Sequence, residues 1–123
     1  MQFKKQYSKE LIEAASEIPG LTSLQFFNIE SMDQASIEPL YSLKNIESIE
    51  FRSCKTVTSD MIRGLETLAN LKFLKVAYCR AVDDDPAPFL KLKQLETLKF
   101  YGKSPSKRTQ AKIFAGLPGV KSK

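Results

Sequence analysis

The sequence lacks histidine and tryptophan and contains only two cysteines among its 123 residues. Without histidine, the chain cannot build a Cys–His metal site or the Ser–His and Cys–His pairs of nucleophilic catalysis. The two thiols, Cys54 and Cys79, are too few for a disulfide framework and fall short of the four ligands that structural zinc prefers. We therefore predict that the protein is not an enzyme, with no catalytic residues, no metal and no cofactor.

Long apolar runs are also missing. No run approaches the roughly 18 residues that a membrane-spanning helix needs, and the charged N-terminus (MQFKKQYSKELIEAASEI) contains no apolar signal core. Apolar residues make up 42% of the chain and charged residues 27%, as in ordinary soluble domains. We expect one domain over residues 1–123 that is cytoplasmic, does not contact a membrane and is a monomer in isolation.

The net charge of +5 is unevenly distributed along the chain. Residues 1–40 carry 3 basic and 6 acidic side chains, residues 41–80 carry 7 and 4, and residues 81–123 carry 9 and 4. If consecutive segments stack on one another, this order becomes a gradient in space, acidic at the first end and basic at the last.

An apolar hexad recurs at an almost constant interval of 25, 25, 24 and 25 residues. Its copies begin at Leu21 (LTSLQF), Ile46 (IESIEF), Leu71 (LKFLKV), Leu95 (LETLKF) and, truncated, Val120 (VKSK). Six and three residues before each copy the sequence is again apolar, at Ala15 and Ile18, Leu40 and Leu43, Leu65 and Leu68, Phe89 and Leu92, and Phe114 and Leu117. The period predicts stacked repeats at 21–45, 46–70, 71–94 and 95–119, after an N-terminal cap or partial repeat at 1–20 and before a C-terminal end at 120–123.

Two different periods occur within each repeat. The hexad alternates apolar and polar residues, which is typical of a half-buried strand, whereas the segment before it has apolar residues at helical spacing. Predicted helix N-caps are Ser8, Ser36, Ser59 or Asp60, and Ser106. The sequence therefore predicts an α/β fold, a short right-handed solenoid with a parallel sheet on the concave face and helices on the convex face.

The first 20 residues fit the same scheme as a partial unit. Residues 2–4 are a candidate edge strand, with Phe3 in the register of Phe26. Helix 9–18 would follow and turn Leu11, Ile12 and Ala15 inward.

The pattern L-x-x-L-x-L-x-x-C occurs at Ile46–Cys54 and Leu71–Cys79. It resembles the cysteine-containing subfamily of leucine-rich repeats, known from the substrate-binding halves of F-box proteins and from some bacterial proteins. The resemblance extends over about residues 11–120 and departs from the pattern at Ile29 and Lys103, which stand at the cysteine position. It implies the solenoid fold and says little about function.

The candidate site follows from the outward positions of the predicted strands, because alternate residues of a strand lie on opposite sheet faces. Aromatic residues near basic ones are typical of protein-interface anchors. Ala77 is also predicted to lie on this concave face. The candidate partner-binding residues there are Phe27, Arg52, Phe73, Lys75, Tyr78, Lys99 and Tyr101.

Cys54 and Cys79 occupy equivalent positions in neighbouring repeats, so we expect them to lie close together. A redox pair or part of a metal site is one interpretation. The interpretation we favour is two buried thiols that satisfy backbone groups at the turn. The Asp83–Asp85 run is similarly interpreted as a helix start, because it lacks the spaced acids and the glycine of an EF-hand.

These observations favour a non-catalytic module that binds another protein through its concave face, with the basic C-terminal half meeting an acidic surface of the partner. By analogy it would be a small adaptor, an assembly factor or an immunity-type protein. The alternative is a nucleic-acid-binding protein that uses the basic C-terminal half. Glu50 and Glu96, predicted on or beside the same face, and the acidic N-terminal third argue against nucleic acid.

Overall fold

A computed structural model describes residues 1–122 and has an α/β fold, with five parallel strands in one sheet and helical segments between them. The strands are β1 (Gln2–Lys4), β2 (Ser23–Phe27), β3 (Ser48–Arg52), β4 (Phe73–Ala77) and β5 (Thr97–Tyr101). The helices are α1 (Lys9–Ala15), α2 (Gln34–Ile37), α3 (Ser59–Arg63), α4 (Ala87–Leu90) and α5 (Lys107–Gly116), with 3-10 turns at Glu38–Ser42 and Gly64–Thr67. Within the described residues, no helix combines the length and apolarity needed to cross a membrane.

The strands lie in chain order, β1-β2-β3-β4-β5, so each strand pairs with its neighbours in sequence. The hexads align in register, and the predicted pairing of Phe3 with Phe26 is confirmed. Phe26 in turn pairs with Phe51. The truncated last hexad also meets the sheet, because Lys121 forms a single parallel bridge with Thr97. The spacing of the hexads thus translates directly into columns of side chains that cross the sheet.

The core lies between the sheet and the helical segments. Leu24, Ile49, Leu74 and Leu98 form one fully buried column, and the apolar residues six before the hexads, from Ala15 to Phe89, are buried as well. Phenyl rings stack along a second column, with centroids 5.1 Å apart between Phe3 and Phe26 and 5.2 Å apart between Phe26 and Phe51. Burial of each such side chain contributes about 1.5–3 kcal/mol to folding.

The prediction that Leu11 points into the core is wrong. Leu11 is 42% exposed, whereas Ile12 and Ala15 form the buried face of α1. Ile18, which occupies a core position in the repeat pattern, is also 40% exposed. The physical reason is that, within the described residues, α1 contacts α2 and the turn at Glu38–Ser42, and both belong to the following unit and lie on one side of it.

Two of the predicted N-caps are confirmed and one differs by a single turn. Ser8 and Ser106 accept hydrogen bonds from the backbone of α1 and α5. In α2 the cap is Asp33, and Ser36 is its capping-box partner three residues later. Asp33 begins the helix because its backbone is extended and its carboxylate accepts the Ser36 N–H, while the Ser36 hydroxyl accepts the Asp33 N–H in return.

The start of α3 also lies one residue before the predicted position. Thr58 caps the helix, so Ser59 and Asp60 are its first two residues. Its hydroxyl accepts from the Met61 N–H, and the Met61 sulfur accepts from the Thr58 N–H. The caps are therefore local features of the loops, which the period of the repeat does not specify.

Candidate functional site

The sheet face that turns away from the helices carries the candidate residues, and we call it the open face. Its side chains alternate with those of the core. The strand register arranges them in three columns: Ser23, Ser48, Phe73 and Thr97; Gln25, Glu50, Lys75 and Lys99; and Phe27, Arg52, Ala77 and Tyr101. Neighbouring members of a column belong to neighbouring strands, which lie about 4.8 Å apart, so their side chains can touch.

All seven predicted residues lie on the open face or at its margin, and none of them joins the core. Tyr78 is 58% and Tyr101 44% exposed, and Arg52 is exposed as well. The other four, Phe27, Phe73, Lys75 and Lys99, are partly buried. The prediction for Ala77 needs correction: it is fully buried and adds no exposed surface, because its short side chain stands between Arg52 and Tyr101.

The basic residues of the open face lie over its aromatic rings. The Arg52 guanidinium carbon is 5.9 Å from the centre of the Phe27 ring. The Lys75 ammonium lies 4.9 Å from the Tyr101 ring centre, and the Lys99 ammonium lies 5.7 Å from that of Phe73. Each cation–π contact contributes about 0.5–1 kcal/mol at an exposed site, and more where water is excluded. These three contacts hold six of the seven candidate side chains in pairs.

Glu50 organises the centre of this surface, a role that sequence reasoning missed. One of its carboxylate oxygens is 3.3 Å from Arg52 Nε and 3.6 Å from Lys75 Nζ. The other accepts a hydrogen bond from the Gln25 side chain at 3.3 Å. Only 9% of Glu50 is exposed, although alternation placed it among the outward positions of the sheet face. Its charge is therefore used within the protein, to neutralise two of the cations beside it.

Lys99 differs from the other two cations of the face. Within residues 1–122 it forms no ion pair, whereas Arg52 and Lys75 share the carboxylate of Glu50. Its ammonium lies against the Phe73 ring and is partly buried. Lys99 is thus a cation whose position is fixed by an aromatic ring and whose charge is available to an incoming anion.

A column of left-handed backbone positions follows the strands. It consists of Lys5 (φ 65°), Asn28 (φ 57°), Ser53 (φ 56°), Tyr78 (φ 57°) and Gly102 (φ 92°). The backbone N–H of each of the first four donates to a carbonyl of the next strand, at 2.8–2.9 Å. The signal that could have revealed this column is Asn28 and Gly102 at the same register position, because asparagine and glycine tolerate this conformation best.

Tyr78 is the unusual member of that column. A bulky aromatic residue with positive φ is rare, and such strain persists where the surrounding structure enforces it. The neighbouring Gly102 gives the ring its room, because a Cβ at position 102 would lie 2.9 Å from Tyr78 Cδ1. The result is a tyrosine that is presented to solvent from a fixed backbone position at the edge of the open face.

Cys54 and Cys79 lie behind the open face, and both are free and fully buried. Cys54 Sγ donates to the Phe26 carbonyl at 3.4 Å, and Cys79 Sγ to the Ala77 carbonyl at 3.4 Å. The adjacent Cys54 thiol and burial together raise the pKa of Cys79 above its ordinary value. The burial of both thiols and their bonds to backbone carbonyls agree with the favoured interpretation, and a raised pKa makes Cys79 in particular a poor nucleophile and metal ligand.

The Asp83–Asp85 run connects neighbouring units. Asp83 Oδ1 accepts a hydrogen bond from Ser59 Oγ at 2.9 Å, and Asp84 Oδ1 accepts from the Ser106 N–H at 2.8 Å. The bonds from Ser106 lower the pKa of Asp84 below its usual range. In the described part of the chain, no group of three or more His, Cys, Asp or Glu side chains is arranged to hold a metal ion.

No protein-family model matches the sequence, and no curated protein is significantly similar to it.

Proposed function

We propose that this protein is a non-catalytic interaction module of the cysteine-containing leucine-rich-repeat type, and that it binds a partner protein through the open face. Strands in sequence order, at a spacing of 23–25 residues, support the solenoid interpretation. Cysteines at equivalent positions of two repeats support the subfamily, and their free thiols suit a reducing compartment such as the cytoplasm. A small adaptor, an assembly factor and an immunity-type protein are all compatible with such a module.

The observation that carries the proposal is the ordered cluster of rings and cations on the open face. Three cation–π contacts and the ion pairs of Glu50 hold these side chains in one arrangement before any partner arrives. Ordering a long side chain on binding costs about 0.5–1.5 kcal/mol, so a surface that is already ordered binds at a smaller entropic cost. Tyrosine and arginine are also the residues most often found at interface hot spots.

The charge of the cluster favours an acidic partner. Glu50 is the only acid in the three columns of the open face, and it already contacts two cations. Lys99 remains without a carboxylate within residues 1–122, and Lys4 extends the Phe27 column at the first strand. A surface with excess positive charge attracts acidic partners over several ångströms and raises the rate of encounter.

Capture of the partner from native lysate tests the proposal. Tyr78→Ala removes an exposed ring without touching the core, and we expect affinity to fall by about 30-fold, as at a typical hot spot. Lys91→Ala is the matched control, because Lys91 is exposed at the end of α4, in the helical layer. Unchanged circular dichroism would establish that both variants fold. Equal capture by wild type and Tyr78→Ala would contradict a binding role for the open face.

Nucleic acid is the alternative ligand, and the same preparation distinguishes it. With each phosphate contact made by a lysine or arginine, the affinity for nucleic acid falls more steeply as the salt concentration rises. A retained ligand that is destroyed by nuclease, and whose affinity falls by orders of magnitude between about 0.05 and 0.2 M salt, would replace the protein-binding proposal.

A further inference from the structure

The outer edge of β5 is paired over only part of its length. The Lys121 N–H donates to the Glu96 carbonyl and the Leu98 N–H donates to the Lys121 carbonyl, both at 2.9 Å. Lys121 thus occupies the start of a sixth strand position, opposite Thr97. Beyond Leu98, no strand of the described chain pairs with this edge. Because alternate residues of a strand bond to opposite neighbours, the groups that face this edge beyond Lys121 are the Leu98 carbonyl and the backbone N–H and carbonyl of Phe100, which are of the kind that accept another strand.

Strand β1, at the opposite edge of the sheet, has the length that would fill this opening. It comprises only Gln2–Lys4 and pairs with residues 25–27, the second half of β2. The same columns continue to residues 99–101 in β5. A β1 strand from a second copy, placed next to β5 in the same register, would therefore cover the part of the edge that Lys121 leaves open.

The apolar residues at the two ends also fit one another. Phe26, Phe51 and Val76 are fully buried, whereas Phe100, the last member of their column, is only partly buried. At the other end the column begins with Phe3, which stacks on Phe26. Phe3 of a second copy would lie beside Phe100 and continue the column.

The outermost helices carry opposite charge. Helix α5 contains Lys107, Arg108 and Lys112 and no acid, and it packs against α4. Helix α1 contains Glu10 and Glu13 against the single Lys9, and it also bears the exposed Leu11. Helix α1 follows β1 and helix α5 follows β5 in the chain. If β1 of one copy lies next to β5 of another, α1 and α5 therefore become neighbours in the helical layer.

We propose that the C-terminal end of this protein, made of β5 and α5, receives the N-terminal end of a second copy, made of β1 and α1. The contact joins two different surfaces, so each copy keeps one free end and the association proceeds to short chains of molecules. The expectation of a monomer then holds only in dilute solution. Strand β5 also carries Lys99 and Tyr101 of the open face, but this contact uses the backbone edge of β5 and does not depend on the function proposed for that face.

Light scattering coupled to size exclusion over a range of protein concentrations tests the proposal at low salt. We expect the wild-type mass to rise above the monomer value of 13.9 kDa with concentration. The mass should return to that value at about 1 M salt, where charges are screened beyond ~3 Å. A wild-type mass that stays at the monomer value at every concentration would overturn the proposal.

Charge reversal then tests which ends meet. The double variant E10K/E13K has two basic ends, and K107E/K112E has two acidic ends, so each alone should remain a monomer at concentrations where wild type associates. Mixed in equal amounts, the two variants should associate again, because the basic N-terminal end of E10K/E13K meets the acidic C-terminal end of K107E/K112E. Failure of the mixture to associate, or association of either variant alone, would overturn the head-to-tail arrangement.

A neutral pair of variants tests the strand contact. The Met1 carbonyl accepts a hydrogen bond from the Gln25 N–H, and the Lys5 N–H donates to the Phe27 carbonyl. Because alternate residues of a strand bond to opposite neighbours, the Gln2 N–H faces outward. Gln2→Pro should therefore abolish association and leave the folded monomer, whereas Gln2→Val should associate like wild type. Association that survives Gln2→Pro would show that β1 does not form the contact.

Discussion

Replacing Glu50 with glutamine should destabilise the protein by about 2 kcal/mol, although the change lies on a sheet face rather than in the core. The Arg52 side chain is 47% exposed, so losing its ion pair costs only about 0.5 kcal/mol. The Lys75 side chain is only 18% exposed, so its ammonium group is largely shielded from water. Removing the Glu50 carboxylate beside it costs about 1.5 kcal/mol of folding free energy. The hydrogen bond from Gln25 can persist, because a glutamine oxygen still accepts it.

Thermal unfolding followed by circular dichroism measures this loss. For a chain of 123 residues, 2 kcal/mol corresponds to a fall in Tm of about 8 °C. Glu47→Gln is the matched control, because it changes the net charge by the same amount. Glu47 precedes β3, is exposed and forms no ion pair within residues 1–122. If the free energies of unfolding of Glu50→Gln and Glu47→Gln differ by less than about 0.5 kcal/mol, the Glu50 carboxylate does not hold the side chains of the open face together.

The same variant tests the chemistry of the partner. Glu50→Gln removes the acid that neutralises Arg52 and Lys75, and the surface becomes more positive where a partner would bind. An acidic partner should then associate faster at low salt with Glu50→Gln than with Glu47→Gln, and the difference should vanish at high salt. Slower association at low salt would contradict an acidic partner.

Three further outcomes follow from buried groups. Leu74→Asp should abolish the cooperative unfolding transition, because Leu74 is fully buried and an unpaired carboxylate there costs several kcal/mol; a folded variant would contradict the packing of sheet on helices. Cys54 and Cys79 should react slowly with a thiol reagent in the native protein and rapidly in urea, and fast native reaction would show that the strands open readily. Burial, followed by the charges of Tyr41 and Asp33, raises the pKa of Tyr7, so its contribution to stability is complete below about pH 10 and is lost as the pH rises above that value. Tyr7→Phe should therefore make urea stability less sensitive to pH above 10, and an unchanged slope would contradict that assignment.

The register of the sheet could be predicted from the sequence because it depends on spacing alone. In a parallel sheet with strands in chain order, residues one repeat apart become neighbours, and Phe3, Phe26 and Phe51 align for that reason. The position of Leu11 could not be predicted in this way. A periodic pattern assumes a neighbour on both sides of every unit, and within residues 1–122 the helical neighbours of α1 lie on one side of it.

The internal organisation of the candidate site could be predicted only in part. Alternation identified which side chains share the open face, but it treated Glu50 as an outward acid that argues against nucleic acid. The carboxylate is instead enclosed because residues from both neighbouring strands, Gln25 and Lys75, reach it together with Arg52 of its own strand. Such an arrangement depends on the lengths and directions of several side chains, which a one-dimensional pattern does not contain.

Each cation–π pair joins neighbouring strands, either directly across the register or two residues along it. Arg52 lies over the residue directly opposite it in the register, Phe27. Lys75 lies over Tyr101, two residues beyond its direct partner Lys99, whereas Lys99 lies over Phe73, two residues before its direct partner Lys75. Lys75 and Lys99 are directly opposite one another in the register, but their ammonium groups point in opposite directions along the strands. Lys75 extends forward to Tyr101 on β5, and Lys99 extends back to Phe73 on β4. Because like charges placed directly opposite one another repel, separating the two ammonium groups stabilises the pair of strands and leaves both cations on the surface offered to a partner.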